Sequence, residues 1–428
     1  MAQTTLLLGA LLTLLIIWEF VRQWGRPPLP PGPKGRFPLI GMTFDMPRKR
    51  PWETFGEWAK HYGPIMHFRT GLQHTIVISD AKVYRELVGE RGAIYSSRPP
   101  SEVGDLVSGG RRSVLMPYGA RWRRARRIFT NVLTTKKCDG YVTFQELESL
   151  ATIYNMLHEP KEFVHELHRY ALYKDLELSF ALECYRDAVQ QAELHPNRPC
   201  MAREVRAEME KAGEDDEVQA ASTCMEVLGA GSETTASALH FTILCLATHP
   251  EVVRKAHEEL DRVIGQDRFP TWEDEPNLPY IRAIIKENQR WRSISPMSFP
   301  HYTSKDDVYN GYFIPKNSVV RINHWLMHQS DEQYPHPEQF DPDRFLDYKH
   351  SAAASANLGD ALQRDHFSYG GGKRICPGIH LAERSLFTMT SRMLQAFEFS
   401  GPLDPKSEKP QFLTAEDVGF STSLIMVP

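Results

Sequence analysis

A glycine-rich loop around one cysteine constrains this chain more than any other segment. Residues 366–383 read HFSYGGGKRICPGIHLAE, so Cys376 lies between three consecutive glycines and a Pro-Gly pair at a predicted helix start. Glycines let backbone N–H groups approach a sulfur atom closely, and a helix N-terminus beside Lys373 and Arg374 favours the thiolate form. The loop therefore predicts that Cys376 is either a metal ligand or a nucleophile.

The other cysteines and the charge balance argue against several classes of protein. The six cysteines form no C-x-x-C pair, which argues against a zinc ribbon and a disulfide framework. Lys+Arg number 50 and Asp+Glu 54, a formal net charge of −4, so we expect no nucleic-acid partner. With 428 residues and no repeat or low-complexity tract, the chain can form one large domain around a buried core.

The N-terminus predicts a membrane anchor. Residues 4–21 are nearly all apolar and approach the ~20 residues that span a bilayer. Basic residues follow this run and none precedes it, which favours a cytoplasmic domain, and a removed signal peptide or a buried core helix fits these flanks less well. We predict a single-pass signal-anchor transmembrane helix over residues 1–25, a Pro-rich stalk over residues 26–36 and one domain over residues 37–428.

Hydrophobic periodicity indicates a chain that is mostly helical. The longest predicted helix covers residues 217–248 and ends at a His-Pro pair, and a final helix covers residues 379–397. Short strands are predicted at residues 64–69 and 75–79, with further short strands after Tyr302. The expected fold class is mostly α with minor β.

The cysteine loop resembles the ligand loop of the cytochromes P450. The family pattern F-x-x-G-x-R-x-C-x-G is matched at Tyr369, Gly372, Arg374, Cys376 and Gly378, with tyrosine in place of the usual phenylalanine. The resemblance implies that the Cys376 thiolate is the metal ligand of haem b, and that Tyr369, Arg374 and Gly378 contact this cofactor. It also implies the cytochrome P450 fold, a single large domain after an N-terminal transmembrane helix.

A second motif lies in the middle of the longest predicted helix. Residues 230–235 read AGSETT, which groups moderate helix formers and one glycine at the centre of a long helix. Taken alone, the motif is also compatible with ordinary helix sequence. In the resembled family this segment binds oxygen, which implies that Glu233 and Thr234 are catalytic and deliver protons as general acids.

Three charged residues resemble the structural network of the same family. Glu287 and Arg290 have the i,i+3 spacing of an E-x-x-R motif, which alone would predict only a surface ion pair. Arg344 in FDPDRF completes the family's set. The resemblance implies that the three residues form a buried structural network.

Two further segments resemble contacts to the haem propionates. Trp122 and Arg126 match the W-x-x-x-R motif, and an arginine fork suits a carboxylate. His301 in SFPHYTS resembles a second propionate contact, although a single histidine can equally be an ordinary core residue.

The predicted substrate pocket is apolar and its lid is short. We expect a lipophilic small molecule to contact the loop 101–116 and Ala230, Pro296, Met297, Ser298 and Phe299. The interval between Trp122 and Ala230 is several tens of residues shorter than is usual in the family. We predict that the loss lies around residues 169–187, in the region that covers the pocket.

The resemblance implies a haem-thiolate monooxygenase of the fungal, membrane-anchored type that acts in secondary-metabolite biosynthesis at the endoplasmic reticulum. It would use O2 and NADPH electrons to hydroxylate or epoxidise its substrate. No G-x-G-x-x-G follows a strand, so we expect NADPH to act indirectly through NADPH-cytochrome P450 reductase. The predicted docking surface for this reductase is a basic patch of Arg121, Arg123, Arg124, Arg127, Lys136, Lys137 and Lys373.

Two alternatives remain open from the sequence. The shortened middle region would suit a haem-binding pseudoenzyme or a misjoined gene product without turnover. Cys376 and His380 could instead form a Cys-His hydrolase, which needs an imidazole base beside the sulfur.

Overall fold

The domain is built mainly from helices, with two small β-sheets. The computed structural model describes residues 25–37, 40–171 and 178–400, and over these ranges the predicted mostly α, minor β class is confirmed. The predicted transmembrane helix over residues 1–25 lies outside the described residues except for its last position. Within the described ranges, no helix combines the length and the apolar character needed to cross a membrane.

The helices of the described residues begin after the Pro-rich segment and continue to residue 396. In chain order they are α1 Pro51–Tyr62, α2 Ala81–Tyr84, α3 Gly92–Tyr95, α4 Glu102–Ser108, α5 Ala120–Val132, α6 Thr135–Asp139, α7 Val142–His158, α8 Phe163–Ala171, α9 Leu178–Leu194, α10 Met201–Lys211, α11 Glu217–Thr248, α12 Pro250–Val263, α13 Pro279–Trp291, α14 His324–His328, α15 Ala352–Ser355 and α16 Ile379–Ala396.

Six strands form the two sheets. They are β1 Ile65–Thr70, β2 Gln73–Ile78, β3 His301–Tyr302, β4 Asp307–Tyr309, β5 Tyr312–Ile314 and β6 Val319–Ile322. The larger sheet has the order β1-β2-β6-β3, in which only the β2–β6 pair is parallel, and β4 and β5 form an antiparallel pair. Gly71 opens the two-residue turn between β1 and β2 with φ +57°, a left-handed conformation that glycine adopts without strain.

The Pro-rich segment 26–36 lies against the sheets. The Pro28 carbonyl accepts the Phe313 N–H at 2.8 Å, and the Pro31 carbonyl accepts the His67 N–H at 3.0 Å. Proline has no N–H to donate, but its carbonyl remains a full acceptor, so the segment binds the sheet edges through its oxygens. The predicted Pro-rich stalk therefore lies along the domain surface at these residues.

Helix α11 is the longest helix and runs through the domain interior. The Asp216 carboxylate caps its start by accepting the Gln219 N–H at 2.9 Å, and Pro250 begins the next helix. Buried alanines, among them Ala221 and Ala236, allow α8, α9, α10, α13 and α16 to pack on it. Residues 228–230 are exposed, so one face of the helix centre is open.

A buried ionic network connects α13 to the chain that follows it. Both oxygens of Glu287 accept hydrogen bonds from Arg290, each at 2.7 Å, and Arg344 Nε donates to Oε1 at 3.1 Å. The Glu287 and Arg290 side chains are completely buried. The remaining donors of Arg290 bond the carbonyls of His328, Pro337 and Gln339. The network therefore ties α13 to the segment that leads into the cysteine loop.

Glu287→Gln should lower the free energy of unfolding by about 3–5 kcal/mol, because the Arg290 charge would stay buried without its counter-charge. Urea unfolding of the purified chain measures this change. The matched control is Glu258→Gln, which removes an exposed i,i+4 pair with Arg254 on α12 and should cost less than about 1 kcal/mol. Equal losses in the two variants would contradict the structural role of Glu287.

Candidate active site around Cys376

Cys376 lies in a tight loop directly before α16. Its N–H donates to the Tyr369 carbonyl at 2.9 Å, and the intervening chain forms a 3-10 turn at Gly372–Arg374. The Gly378 N–H hydrogen-bonds the Cys376 sulfur. Burial raises the pKa of the Tyr369 phenol well above its usual value, so this side chain stays neutral beside the loop.

Two of the three consecutive glycines are required because the loop packs closely on Tyr84, at the end of α2, and on Val88. A Cβ on Gly372 would lie 2.4 Å from the Val88 carbonyl oxygen, and this glycine has φ +57°. A Cβ on Gly371 would lie 2.6 Å from Tyr84 Oη. The expectation that glycine N–H groups approach the sulfur therefore applies to Gly378, while Gly371 and Gly372 allow the loop to approach its neighbours.

The electrostatic surroundings of the sulfur differ from the sequence-based expectation. Burial raises the pKa of the Cys376 thiol, and this effect exceeds the lowering by the Gly378 N–H and the Arg126 charge. Lys373 and Arg374 do not supply the expected lowering, because Lys373 lies over the Tyr118 ring and Arg374 over the Trp122 ring. A thiolate at this position needs a further positive partner, and a ligated metal ion would be one.

Three arginines, one buried (Arg98) and two partly buried (Arg126 and Arg374), surround one side of the cysteine loop. Arg98, Arg126 and Arg374 form no ion pair with a carboxylate among the described residues. Burial lowers the pKa of Arg98 to about 10, and burial together with the charges of Arg98 and Arg126 lowers that of Arg374 to about 8. Burial likewise lowers the pKa of Arg126. We call these three residues the arginine cluster.

Backbone carbonyls orient the arginine cluster. Arg126 Nη2 donates to the Ile375 carbonyl at 2.5 Å, next to the cysteine. Arg98 donates to the Val114, Phe299 and Pro300 carbonyls, and Arg374 donates to the Ser96, Ser113 and Met116 carbonyls. Carbonyls satisfy N–H groups but leave the positive charges uncompensated, so the cluster favours an anionic ligand.

The predicted propionate contacts lie around this cluster. Trp122 is buried, with the Arg374 guanidinium 4.2 Å from its ring centroid, and Arg126 follows one turn later on α5. Among the described residues, the His301 ring makes no hydrogen bond with a side chain. Its Nδ1 lies 2.7 Å from the Tyr95 carbonyl oxygen and therefore carries the proton. Burial and the charges of Arg98 and Arg374 lower the His301 pKa well below 6.5, so the ring is neutral.

Sequence reasoning missed Arg98 as a site residue. Arg98 belongs to SSRPP, before α4, and its only local signal is a basic residue next to two prolines. Its role depends on carbonyls from residues 114, 299 and 300, which come from two distant parts of the chain. A single sequence carries no signal for such contacts.

The residues present fit a haem group. A partly buried thiol in a loop held by backbone hydrogen bonds can supply one anionic ligand to iron. The arginine cluster offers uncompensated positive charge for the two carboxylates of this cofactor. Nothing lies within 4 Å of the position of a Cβ on Gly231, so the open face of α11 leaves space beside it.

The predicted proton-delivery residues lie on this face of α11. The Thr234 hydroxyl donates to the Ala230 carbonyl at 2.6 Å, within an unbroken helix. Glu233 Oε2 is buried and has no hydrogen-bond partner among the described residues. The structure therefore joins Thr234 to Ala230 and leaves one carboxylate oxygen available for another group.

The predicted substrate residues after α13 do not all face a pocket. Met297 is buried in an apolar cluster with Phe55, Met66 and Phe68, so its side chain packs in the core, and its contact with substrate stays a prediction. Ser298 has φ +52°, and Phe299 lies with its ring under the Arg98 guanidinium. Pro296 and Ala230 are partly buried and exposed, respectively, as a pocket lining requires.

His380 does not complete a hydrolase dyad in this arrangement. Its ring nitrogens lie 3.4 and 3.5 Å from Thr135 Oγ1, and no hydrogen bond joins the ring to the Cys376 sulfur in the described part of the chain. Because burial also raises the thiol pKa, the site lacks the activated sulfur that a Cys-His nucleophile needs.

Comparison with known proteins identifies relatives over nearly the whole chain. The family model for cytochrome P450 matches residues 30–172 and 144–427. The chain is 32% identical to the cytochrome P450 monooxygenase verL of Clonostachys rogersoniana, over 98% of this chain and 90% of that protein. It is 31% identical to the cytochrome P450 monooxygenase macC of Penicillium terrestre, over 100% of this chain and 92% of that protein.

Solved structures share the fold. A zebra fish cytochrome P450 with progesterone has a TM-score of 0.69 at 24% identity, over 83% of this chain and 93% of that chain. A second zebra fish cytochrome P450 structure, with abiraterone, has a TM-score of 0.64 at 26% identity, over 82% and 93% of the two chains. The first of these likenesses shows the fold alone.

The alignments also bear on the length of the middle region. The alignment with the Clonostachys protein runs over 489 residues and that with the Penicillium protein over 500, although this chain has 428. Both relatives therefore contain several tens of residues that this chain lacks. The two matches to the family model overlap at residues 144–172, a range that reaches the start of the predicted shortened region at residue 169. Residues 172–177 lie outside the described residues.

Gly372→Ala should destabilise the cysteine loop by about 3 kcal/mol, because the new Cβ would clash with the Val88 carbonyl and the residue has a left-handed φ. Thermal unfolding and haem content of the purified variant measure the effect. Gly359→Ala is the matched control, since its Cβ would meet nothing within 4 Å and no positive φ is required there. A Gly372→Ala protein as stable as this control would contradict the packing described for the loop.

Proposed function

Because the chain belongs to the cytochrome P450 family, we propose that it is a haem-thiolate monooxygenase that hydroxylates or epoxidises a lipophilic small molecule. The observation that carries this proposal is the position of Cys376, in a loop with a Gly378 N–H on its sulfur and the uncompensated arginine cluster beside it. O2 and electrons from NADPH are the proposed co-substrates.

The chain's own residues would bind and orient the cofactor. Cys376 Sγ would hold the iron as an anionic ligand, and Arg98, Arg126 and Arg374 would bind the propionates. His301 is neutral and lies next to two of these arginines, so it can add a hydrogen bond without adding charge. Haem bound in this way supplies oxygen activation.

Proton delivery is the proposed role of two residues on α11. The Thr234 hydroxyl donates a hydrogen bond to the Ala230 carbonyl, and its oxygen lone pairs stay free to accept one. Glu233 Oε2 is buried and has no hydrogen-bond partner among the described residues, so it is free to exchange a proton with a group that enters the site. Together they would move protons from solvent to the face of the helix at Gly231.

The proposed electron donor is NADPH-cytochrome P450 reductase. Much of the basic patch remains exposed around α5 and the cysteine loop, including Arg123, Arg127 and Lys373, while Arg124 and Lys137 pair with acidic residues of this chain. An acidic partner would be attracted to this surface, so its rate of electron transfer should fall as salt concentration rises.

The proposed location is the endoplasmic reticulum membrane, with the domain on the cytoplasmic side. The apolar run at residues 4–21 and the basic residues after it support a single anchor in the lipid bilayer. Carbonate extraction of microsomes tests this, because an anchored chain stays in the membrane pellet and an unanchored one is released.

The proposed pathway is fungal secondary-metabolite biosynthesis. The relatives verL and macC come from fungi, and the segments LPPGPKGRFPLIG and PHYTSKDDVYNGYFIPK resemble fungal members of the family. An apolar or small-residue lining at Ala230 and Pro296 favours a lipophilic substrate. Spectral shifts of the haem protein over a panel of fungal metabolites would identify the compound class.

The rival proposal is a haem-binding protein without turnover. The several tens of residues that the relatives have in addition support it, because a shortened lid admits water and positions substrate poorly. NADPH-driven product formation with added reductase excludes this rival, whereas haem binding without any product favours it.

Cys376→Ser should abolish the red-shifted Soret band of the reduced, CO-treated protein, because an alcohol cannot replace an anionic sulfur ligand. Absorbance spectroscopy of the purified chain measures the band. Cys184→Ser, which changes an exposed cysteine on α9, should leave the band unchanged. An unaltered spectrum in Cys376→Ser would contradict the proposed function.

Thr234→Ala should lower product formation per NADPH oxidised about tenfold or more and raise hydrogen peroxide release, because proton delivery is impaired. The CO spectrum should stay unchanged. Thr248→Ala is the matched control, since that hydroxyl makes the same i−4 bond, to the Leu244 carbonyl at 2.9 Å, at the far end of α11. An equal yield of product per NADPH oxidised in wild type and Thr234→Ala would rule out this role for Thr234.

A further inference from the structure

Glu226 is an acidic residue on α11, one turn before Ala230. Its carboxylate accepts three hydrogen bonds, all from a loop that is distant in sequence. Oε1 accepts the Ser113 hydroxyl at 2.9 Å and the Val114 N–H at 2.8 Å. Oε2 accepts the Ser113 N–H at 2.8 Å. Three donors from two consecutive residues therefore converge on one carboxylate.

The backbone carbonyls of the same loop accept hydrogen bonds from two members of the arginine cluster. The Ser113 carbonyl accepts Arg374 Nη1 at 3.2 Å, and the Val114 carbonyl accepts Arg98 Nε at 2.8 Å. The peptide group between Ser113 and Val114 thus donates its N–H to Glu226 and accepts from Arg374 with its C=O. One planar peptide separates the carboxylate from the guanidinium.

The charges at the two ends of this peptide reinforce each other. A carboxylate on the N–H and a guanidinium on the C=O polarise the peptide in the same direction, which strengthens both hydrogen bonds. The negative charge of Glu226 also acts on Arg374, whose pKa it raises against the larger effect of burial. The Glu226 carboxylate therefore acts electrostatically on the Arg374 guanidinium, although the two side chains form no ion pair.

This indirect arrangement leaves donors available on the arginine. Arg374 has five N–H groups, and its hydrogen bonds within the described chain go to the carbonyls of Ser96, Ser113 and Met116. A direct ion pair with Glu226 would occupy further donors and neutralise the charge. Contact through the peptide orients the guanidinium and keeps its charge available for an anionic ligand.

We propose that Glu226 is a positioning residue that acts through the Ser113–Val114 peptide to hold Arg374 in the orientation that binds a haem propionate. This inference rests on the proposed function, because it concerns the same haem site. It assigns a role in cofactor retention to a residue on the substrate side of the long helix.

A second attachment of the same loop provides a matched control. Arg111 Nη1 lies 2.7 Å from the Asp216 carboxylate, at the start of α11. This ion pair is partly exposed and touches neither carbonyl that holds the arginine cluster. Asp216→Asn should weaken the loop attachment while keeping a residue that can cap α11.

The test is the rate at which the haem-loaded full chain transfers its haem to excess apomyoglobin. Glu226→Gln should release haem about tenfold faster than wild type, because the charged acceptor of three hydrogen bonds is lost. Asp216→Asn should stay within about twofold of wild type. Equal rates in Glu226→Gln and wild type, or equal increases in the two variants, would overturn the positioning role.

A double-mutant cycle separates this role from a general effect on folding. In an Arg374→Lys background, Glu226→Gln should add less than about twofold, because the pathway through the guanidinium is already broken. A full tenfold effect in that background would show that Glu226 does not act through Arg374. If the proposed function itself is wrong, the wild-type protein would lack the red-shifted Soret band of the reduced, CO-treated form, which distinguishes that outcome from failure of the positioning role.

A milder variant covers the case in which Glu226→Gln does not fold. Ser113→Ala removes one of the three hydrogen bonds to the carboxylate and leaves both N–H donors in place. It should release haem about threefold faster than wild type with an unchanged CO spectrum. An unchanged release rate in this variant would overturn the inference.

Discussion

Three guanidinium groups that lie close to one another, on one buried and two partly buried arginines, are the constraint on which the site depends. Arg98, Arg126 and Arg374 come from three separate parts of the chain, and none has a carboxylate partner among the described residues. Burying like charges together is unfavourable, so the surrounding backbone must hold them through carbonyls until an anion compensates them. The loop that carries residues 113–116, helix α5 and the cysteine loop all meet at this point, and their mutual placement follows from it.

Several parts of the fold could be predicted from sequence because their signals are local. Helix α11 covers the predicted residues 217–248, since Asp216 caps it and a His-Pro pair ends it. Strands β1 and β2 are marked by apolar runs on either side of Gly71, and α16 by the Pro-Gly pair before it. The cysteine ligand and the Glu287 network were predicted from the resemblance to family motifs, because the i,i+3 spacing of Glu287 and Arg290 alone indicates only that the two side chains lie near one another.

The remaining features depend on contacts between distant segments. Glu226 looks like an ordinary helix residue until the loop 113–114 is placed beside it, and Arg98 gains its role only from carbonyls of two other segments. The pKa of Cys376 could not be predicted, because burial outweighs the charges that are adjacent in sequence. Met297 was assigned to the pocket by its neighbours in the chain, whereas its side chain packs into the core beside β1.

The Pro-rich segment has a practical consequence for producing the protein. Its carbonyls at Pro28 and Pro31 join it to β5 and β1, so it links the smaller sheet to the larger one. A shortened expression fragment that starts after residue 31 would leave the N–H groups of Phe313 and His67 without these acceptors. Fragments intended for crystallisation should therefore retain the chain from residue 26 onward, even where the apolar leader is removed.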